Sequence, residues 1–257
     1  MVNQSIITGF IIQFIFCIVF PILLAIYWRK RTRASVKAAL AGALCFFLFS
    51  QIFEGILHSI VLQENSPVML NDVAYIIYGI LAAGIFEETG RFIVFRILKN
   101  KEYEKKEAVM FGIGHGGIEA ILIIGLTSIW YAVMLINYKN GGIEALIPKG
   151  TPSSTAATMK SIIDNLLKVT SSEIVLSILE RIIAIFSHIG LSVIVFTSVN
   201  SKKIYLFFVA IIMHAVLDIP AAMFQRQILT NNFVVLGLTF VIACGIIYYS
   251  VKLYVKS

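Results

Sequence analysis

At 257 residues the chain is 59% hydrophobic and 14% charged, with a mean hydropathy of +0.91, against roughly 45–50% apolar and about 25% charged residues in soluble domains. A soluble single domain is excluded, and at about 20 residues per crossing the chain can supply six or seven spans with little left outside the membrane. The net charge of +7 comes from Lys and Arg residues in short clusters between apolar runs, a pattern that orients membrane proteins and does not point to nucleic acid.

Seven apolar runs follow in order, at about Ser5–Tyr27, Val36–Leu62, Ala74–Leu98, Ala108–Asn137, Glu173–Val199, Ile204–Met223 and Phe233–Tyr254. The expected fold is all-α: a polytopic membrane helical bundle of about seven transmembrane helices forming a single integral membrane domain over residues 1–257. No Lys or Arg precedes the first run and no small-residue cleavage site follows it, so Ile6 to Trp28 reads as a retained helix, not a signal peptide. Basic residues alternate between connections. Arg29, Lys30, Arg31, Arg33 and Lys37 follow the first run, none lies in 63–72, and Lys99, Lys101, Lys105 and Lys106 follow the third. Lys202 and Lys203 follow the fifth run, and Lys252 and Lys256 close the chain, so the positive-inside rule predicts N-out, C-in. Cys17, Cys45 and Cys244 stand in separate runs without CxxC spacing, which indicates neither a disulfide framework nor a thiolate metal site.

The one long connection, Tyr138–Ser172, opens with Gly141, Gly142, Pro148 and Pro152, which break regular structure. From Thr155 onward Met159, Ile162, Ile163, Leu166 and Leu167 recur at helical spacing, opposite Lys160, Asp164 and Lys168. This predicts an amphipathic helix on the outer side, either covering the bundle or lying in the interface as a lid or ledge. No internal repeat is present, which argues against an inverted-repeat transporter.

Ionisable groups inside the hydrocarbon cost roughly 2.5–3.5 kcal/mol each on insertion scales, yet the runs contain Glu54, His58, Glu87, Glu88, Arg91, His115, Glu119, Glu180, Arg181, His188, His214 and Asp218. A lone intramembrane His is ordinarily an interhelical hydrogen bond. All four histidines lie in spans here, and their depth is informative. At about 1.5 Å per residue, counting from the inner ends places Glu87 and Glu88 at ~17 Å, His115 at ~12 Å, His188 at ~18 Å and His214 at ~16 Å. Four helices thus bring a carboxylate pair and three imidazoles to one level. Glu54 and His58 count to ~25 Å and beyond and are left out of the site.

Within the helices, Glu87 and Glu88 stand four and three residues before Arg91, so the guanidinium can orient one carboxylate while partly neutralising the pair. His115 with Glu119 and His214 with Asp218 repeat the four-residue spacing, which lets a carboxylate fix an imidazole tautomer. Gly112, Gly114, Gly116 and Gly117 flank His115 and predict close helix packing. Peptide hydrolysis needs a water, a base and an electrophile. Imidazoles holding a divalent metal, with a nearby Glu, supply all three. There is no HExxH motif, so the ligands must come from separate helices.

Glu87-Glu88-Thr89-Gly90-Arg91, Phe111-Gly112-Ile113-Gly114-His115 and His214-Ala215-Val216-Leu217-Asp218 resemble the motifs of the CPBP (Abi) intramembrane proteases: paired Glu then Arg, FxxxH, and HxxxN or HxxxD. His115-Gly116-Gly117-Ile118-Glu119 and Glu180-Arg181 followed by His188 look like the YhfC-type branch of bacterial membrane peptidases. The resemblance spans about Ala74 to Ala222, the region expected to bear the site. Arg91 follows the Glu pair after two residues where the prenyl-protein branch usually has three, which argues against a prenylated substrate.

The resemblance implies an intramembrane endopeptidase of a bacterial plasma membrane, acting on a peptide or membrane-protein substrate among membrane lipids. Glu87 would activate water with Glu88 beside it, and His115 and His214 would complete the catalytic set. His115, His188 and His214 are the expected ligands of a divalent metal, Zn2+ foremost, with Arg91, Glu119, Glu180, Arg181 and Asp218 supporting them. A metal-free water held between Glu87 and His115 is the alternative mechanism. The alternative functions are a non-catalytic scaffold or bacteriocin-immunity protein of the same fold, or a proton- or metal-coupled transporter.

Overall fold

The computed structural model describes residues 3–98 and 103–256; Lys99 and Lys101 of the third-run cluster lie outside the described residues. Among the described residues there are helices and connections and no strand. The helices are α1 (Gln4–Thr32), α2 (Val36–Phe46), α3 (Gly55–Val61), α4 (Asp72–Leu98), α5 (Lys105–Glu119), α6 (Leu126–Gly141), α7 (Ser153–Leu166), α8 (Ser171–Ser201), α9 (Tyr205–Gln225) and α10 (Asn232–Lys256). Seven helical stretches among the described residues are long and apolar enough to cross a membrane, and the chain is a multi-pass membrane protein.

Two of these spans are not continuous α-helices. A π-helical segment, Phe47–Glu54, joins α2 to α3, and another, Ala120–Gly125, joins α5 to α6. A π-turn bonds i to i+5 and inserts a wider turn into the helix, which re-aims every side chain beyond it.

The contacts divide the chain into two compact units, one of Met1–Phe20 with Ala120–Leu179 and one of Pro21–Glu119 with Glu180–Ser257. In the first, Ile6, Ile7, Phe10, Leu135, Ile163, Leu166 and Ile174 form an apolar core. On the amphipathic α7, Ile163 and Leu166 are buried and Met159 and Ile162 half-buried against this core, so the helix covers its unit, with Leu167 left exposed. A polar link inside the same unit runs from Ser128 Oγ to Gln13 Oε1 (3.0 Å) and from Gln13 Nε2 to Ser177 Oγ (2.7 Å).

The second unit is built on Phe95, Phe111, Leu191, Ile194, Val195, Leu206 and Leu217, among others. Its α2 and α5 are tied at their starts. Ser35 accepts from Lys37 N as the N-cap of α2, and its own N–H donates to the buried Glu107 Oε2 at 2.9 Å. Glycines set how closely these helices approach. A Cβ on Gly42 would strike the Phe111 carbonyl, and one on Gly114 would strike the backbone of Ala39. In lipid, where apolar surface gives no drive for helices to associate, such small-residue contacts let backbones touch and supply the packing.

Candidate metal centre

All the site residues named from the sequence belong to the second unit. On α4, Glu87, Glu88 and Arg91 share one face and are buried, Glu88 and Arg91 completely. Arg91 donates through Nη1 to Glu88 Oε1 and through Nη2 to Glu87 Oε2 at 3.3 Å. One planar guanidinium therefore bridges two carboxylates and offsets one of their two charges.

Backbone contact brings the imidazoles to this face. A Cβ on Gly84 of α4 would lie 2.9 Å from the Ile211 carbonyl oxygen of α9, and this close approach lets His214 Nδ1 reach Glu88 Oε1 at 2.6 Å. On α5, a Cβ on Gly112 would sit 2.5 Å from Ile189 Cα, and one on Gly116 would sit 2.9 Å from Ile185 Cα of α8. His115 thereby stands beside His188 with ring centroids 5.0 Å apart, and His188 stands 5.5 Å from His214. Phe46 meets the His115 ring edge-on at 5.2 Å and closes its far side.

The result is a convergence on one atom. Glu87 Oε2 has His115 Nε2 at 2.8 Å, Arg91 Nη2 at 3.3 Å, His188 Nδ1 at 3.8 Å and His214 Nε2 at 3.9 Å. The partners fix the protons. Arg91 has only donors, so His188 Nδ1, 2.6 Å from Arg91 Nη2, accepts. Its Nε2–H then faces Glu119 Oε2 in close contact. His214 donates from Nδ1 to Glu88, and its Nε2 faces Glu87 and Asp218 Oδ2, the latter at 3.5 Å.

Behind His188 runs a second ion-pair chain. Arg181 Nη1 donates to Glu119 Oε1 at 2.9 Å, and Arg181 Nε and Nη2 hold Glu180 at 2.5 Å each. The four-residue spacing led us to expect Glu119 to hold His115. It serves His188 and Arg181 instead, since a buried carboxylate is drawn to the nearest full positive charge and not to an intrahelical neighbour. His115 Nδ1 is buried without a partner. Asp218 lies behind His214, with its side chain one-third exposed.

Donor atoms of Glu87, His115 and His188 all lie within 4.8 Å of one another. The trio expected from sequence, His115, His188 and His214, shares two members with it. The structure brings His214 to the same oxygen but anchors it on Glu88. Two imidazoles and a carboxylate form a donor set suited to a divalent cation. Two atoms of this centre able to accept, His115 Nδ1 and Glu88 Oε2, are buried without a protein partner, and orphaned buried groups are rare away from functional sites. By chemistry, spacing and unmet bonding capacity, the residues fit a metal ion.

Sequence reasoning missed Glu54. The helical count put it near the surface with His58, but it ends the π-helical segment and is 5% exposed, within electrostatic reach of Glu87, His214 and Asp218. The one signal available was the cost of an acidic residue in an otherwise apolar run.

Comparison with known proteins places the chain in a family. The family model described as YhfC intramembrane metalloprotease matches residues 16–239. The chain is 35% identical over 255 residues to the Bacillus subtilis (strain 168) protein described as "Uncharacterized membrane protein YhfC", covering 98% of each chain. No solved structure matches it. This multi-pass protein, with its carboxylate ringed by imidazoles, belongs to the YhfC intramembrane metalloprotease family.

Proposed function

We propose that the protein is an intramembrane endopeptidase that hydrolyses a peptide bond within or near the membrane. The observation that carries this reading is the single buried oxygen, Glu87 Oε2, surrounded by imidazole nitrogens from α5, α8 and α9.

Glu87, His115 and His188 would hold a divalent cation, His188 by giving up the contact of its Nδ1 with Arg91, and their mixed nitrogen and oxygen donors suit Zn2+. Such an ion supplies Lewis acidity, bringing the pKa of water toward about 7 and polarising a peptide carbonyl. The remaining residues do the proton work. His214, oriented through Nδ1 by Glu88, offers its Nε2 lone pair on the Glu87 side, where it takes a proton from water and returns it to the departing amine. Asp218, 3.5 Å from that nitrogen, stabilises the imidazolium formed in between. Arg91 holds Glu87 and Glu88 in register. Arg181 fixes Glu119, which in turn aims the His188 ring. Burial of the set keeps bulk water from competing with these contacts.

The test uses membranes of cells producing the wild type, Glu87→Gln, Glu88→Gln, His115→Ala or His214→Ala. Mass spectrometry of protein N-termini should find new termini within or beside membrane spans only with the wild type. The same termini from all four variants would refute the reading.

A further inference from the structure

The second unit holds a cavity that the proposed peptidase chemistry does not use. Its volume is about 510 Å³, within the roughly 300–1,000 Å³ of small-molecule sites. It lies among the ends of α1, α8 and α10 and the start of α5, and its walls include Tyr103, Lys105, Lys106, Phe196, Asn200 and Tyr254. Lys105 stands ten residues before His115 on α5, about 15 Å of helix rise. The cavity is therefore apart from the Glu87 centre, and what it binds does not depend on the endopeptidase reading.

The walls carry charge. Lys105 Nζ donates to the Tyr254 carbonyl at 2.8 Å and lies 5.7 Å from the centroid of the Tyr254 ring. Both partners are neutral, so the ammonium keeps its full charge. Lys106 Nζ pairs with Glu104 Oε2 at 2.8 Å, and Glu104 also lines the cavity. Two ammonium groups against one carboxylate leave the wall with one net positive charge. Arg31 and Arg33 flank Thr32, another wall residue, and Lys202 and Lys203 follow closely after Asn200. All four are exposed, and they raise the local positive potential further.

Depth identifies the source of the matching negative charge. Trp28 Nε1 donates to the Lys106 carbonyl at 2.8 Å. Trp28, Tyr103 and Tyr254 all lie within a few residues of the ends of membrane-spanning helices, where amphipathic rings mark the lipid headgroup level. Buried Phe196 adds apolar surface to the same wall. A lipid phosphate at this level meets ammonium donors while its acyl chains stay in the hydrocarbon, as in other basic pockets between membrane helices. We propose that this cavity binds the headgroup of an anionic phospholipid, with Lys105 and Lys106 taking the phosphate.

The experiment is native mass spectrometry of the full-length protein released from detergent micelles. The probes are phosphatidylglycerol, zwitterionic phosphatidylcholine with the same acyl chains, and soluble glycerol 3-phosphate. The wild type should retain phosphatidylglycerol about tenfold more tightly than phosphatidylcholine and hold glycerol 3-phosphate far more weakly than either lipid. The double variant Lys105→Gln with Lys106→Gln should lose about tenfold in phosphatidylglycerol affinity. Lys202→Gln with Lys203→Gln, which removes the same charge outside the cavity wall, should lose less than about threefold. Glu104→Gln keeps both lysines and should bind phosphatidylglycerol about two- to fivefold more tightly, a gain that no folding defect produces. Equal retention of the two lipids, equal losses in the two double variants, or no gain in Glu104→Gln would overturn the inference. Glycerol 3-phosphate bound as tightly as phosphatidylglycerol would overturn it too, by making the ligand a free phosphate and not a lipid.

Discussion

Gly114→Ala tests whether helix contact builds the centre. A Cβ at this position would meet Ala39 of α2 on backbone atoms, including Cα at 2.6 Å where ordinary contact is 3.4 Å. No rotamer change relieves a clash with backbone, and the Ala39 carbonyl oxygen is nearer still, so α2 and α5 must part by more than this difference of about 0.8 Å. Overpacking of this kind costs about 1–3 kcal/mol. Residue 115 is next in the chain, so the shift also carries His115 Nε2 away from its 2.8 Å contact with Glu87 Oε2. Displacement by a large fraction of an ångström matters to a ligand set whose donors must be held within about 0.5 Å. The assay is Zn2+ affinity by chelator competition, alongside thermal unfolding in the same detergent. Gly79→Ala, where an added Cβ meets nothing within 4 Å, serves as the control. Gly114→Ala should lose at least tenfold in Zn2+ affinity and unfold at a lower temperature, and Gly79→Ala should do neither. A Gly114→Ala protein with wild-type affinity and stability would refute the packing account.

Arg91→Met leaves two buried carboxylates without their cation and should cost about 3–5 kcal/mol, seen as a large drop in Tm. Arg91→Lys should recover only part of this, because one ammonium cannot bridge Glu87, Glu88 and His188 at once; an unchanged Tm for the methionine variant would contradict the pairing. Glu119→Gln removes the carboxylate that aims His188 and should weaken metal binding about 10–100-fold, with equal affinity by the same competition assay counting against that role. Reporter fusions should place the C-terminus in the cytoplasm and the N-terminus outside, as the alternation of basic connections predicts; the reverse pattern would overturn that orientation.

The spans were legible because an apolar run of about 20 residues has few alternatives to crossing a bilayer. The covering role of α7 was one of two readings of its amphipathic stripe, and burial of Ile163 and Leu166 decides between them. The two π-helical segments were not legible, since one extra residue in a turn leaves no mark on a run that is apolar on all sides. The depth count put Glu87, His115, His188 and His214 at one level, and height is all it reports. Which carboxylate serves which imidazole depends on lateral packing, which here rests on Gly84, Gly112 and Gly116 meeting α9 and α8 backbone. Glu88 therefore went to His214 and Glu119 to His188, neither within its own helix.

X-ray absorption at the zinc edge of the purified protein bears most directly on the metal centre. A shell of nitrogen and oxygen neighbours at about 2.0–2.2 Å, with the multiple-scattering signature of two imidazoles that drops to one in His188→Ala, is the predicted result. A protein that binds no zinc, or a spectrum unchanged by His115→Ala and His188→Ala, would contradict it.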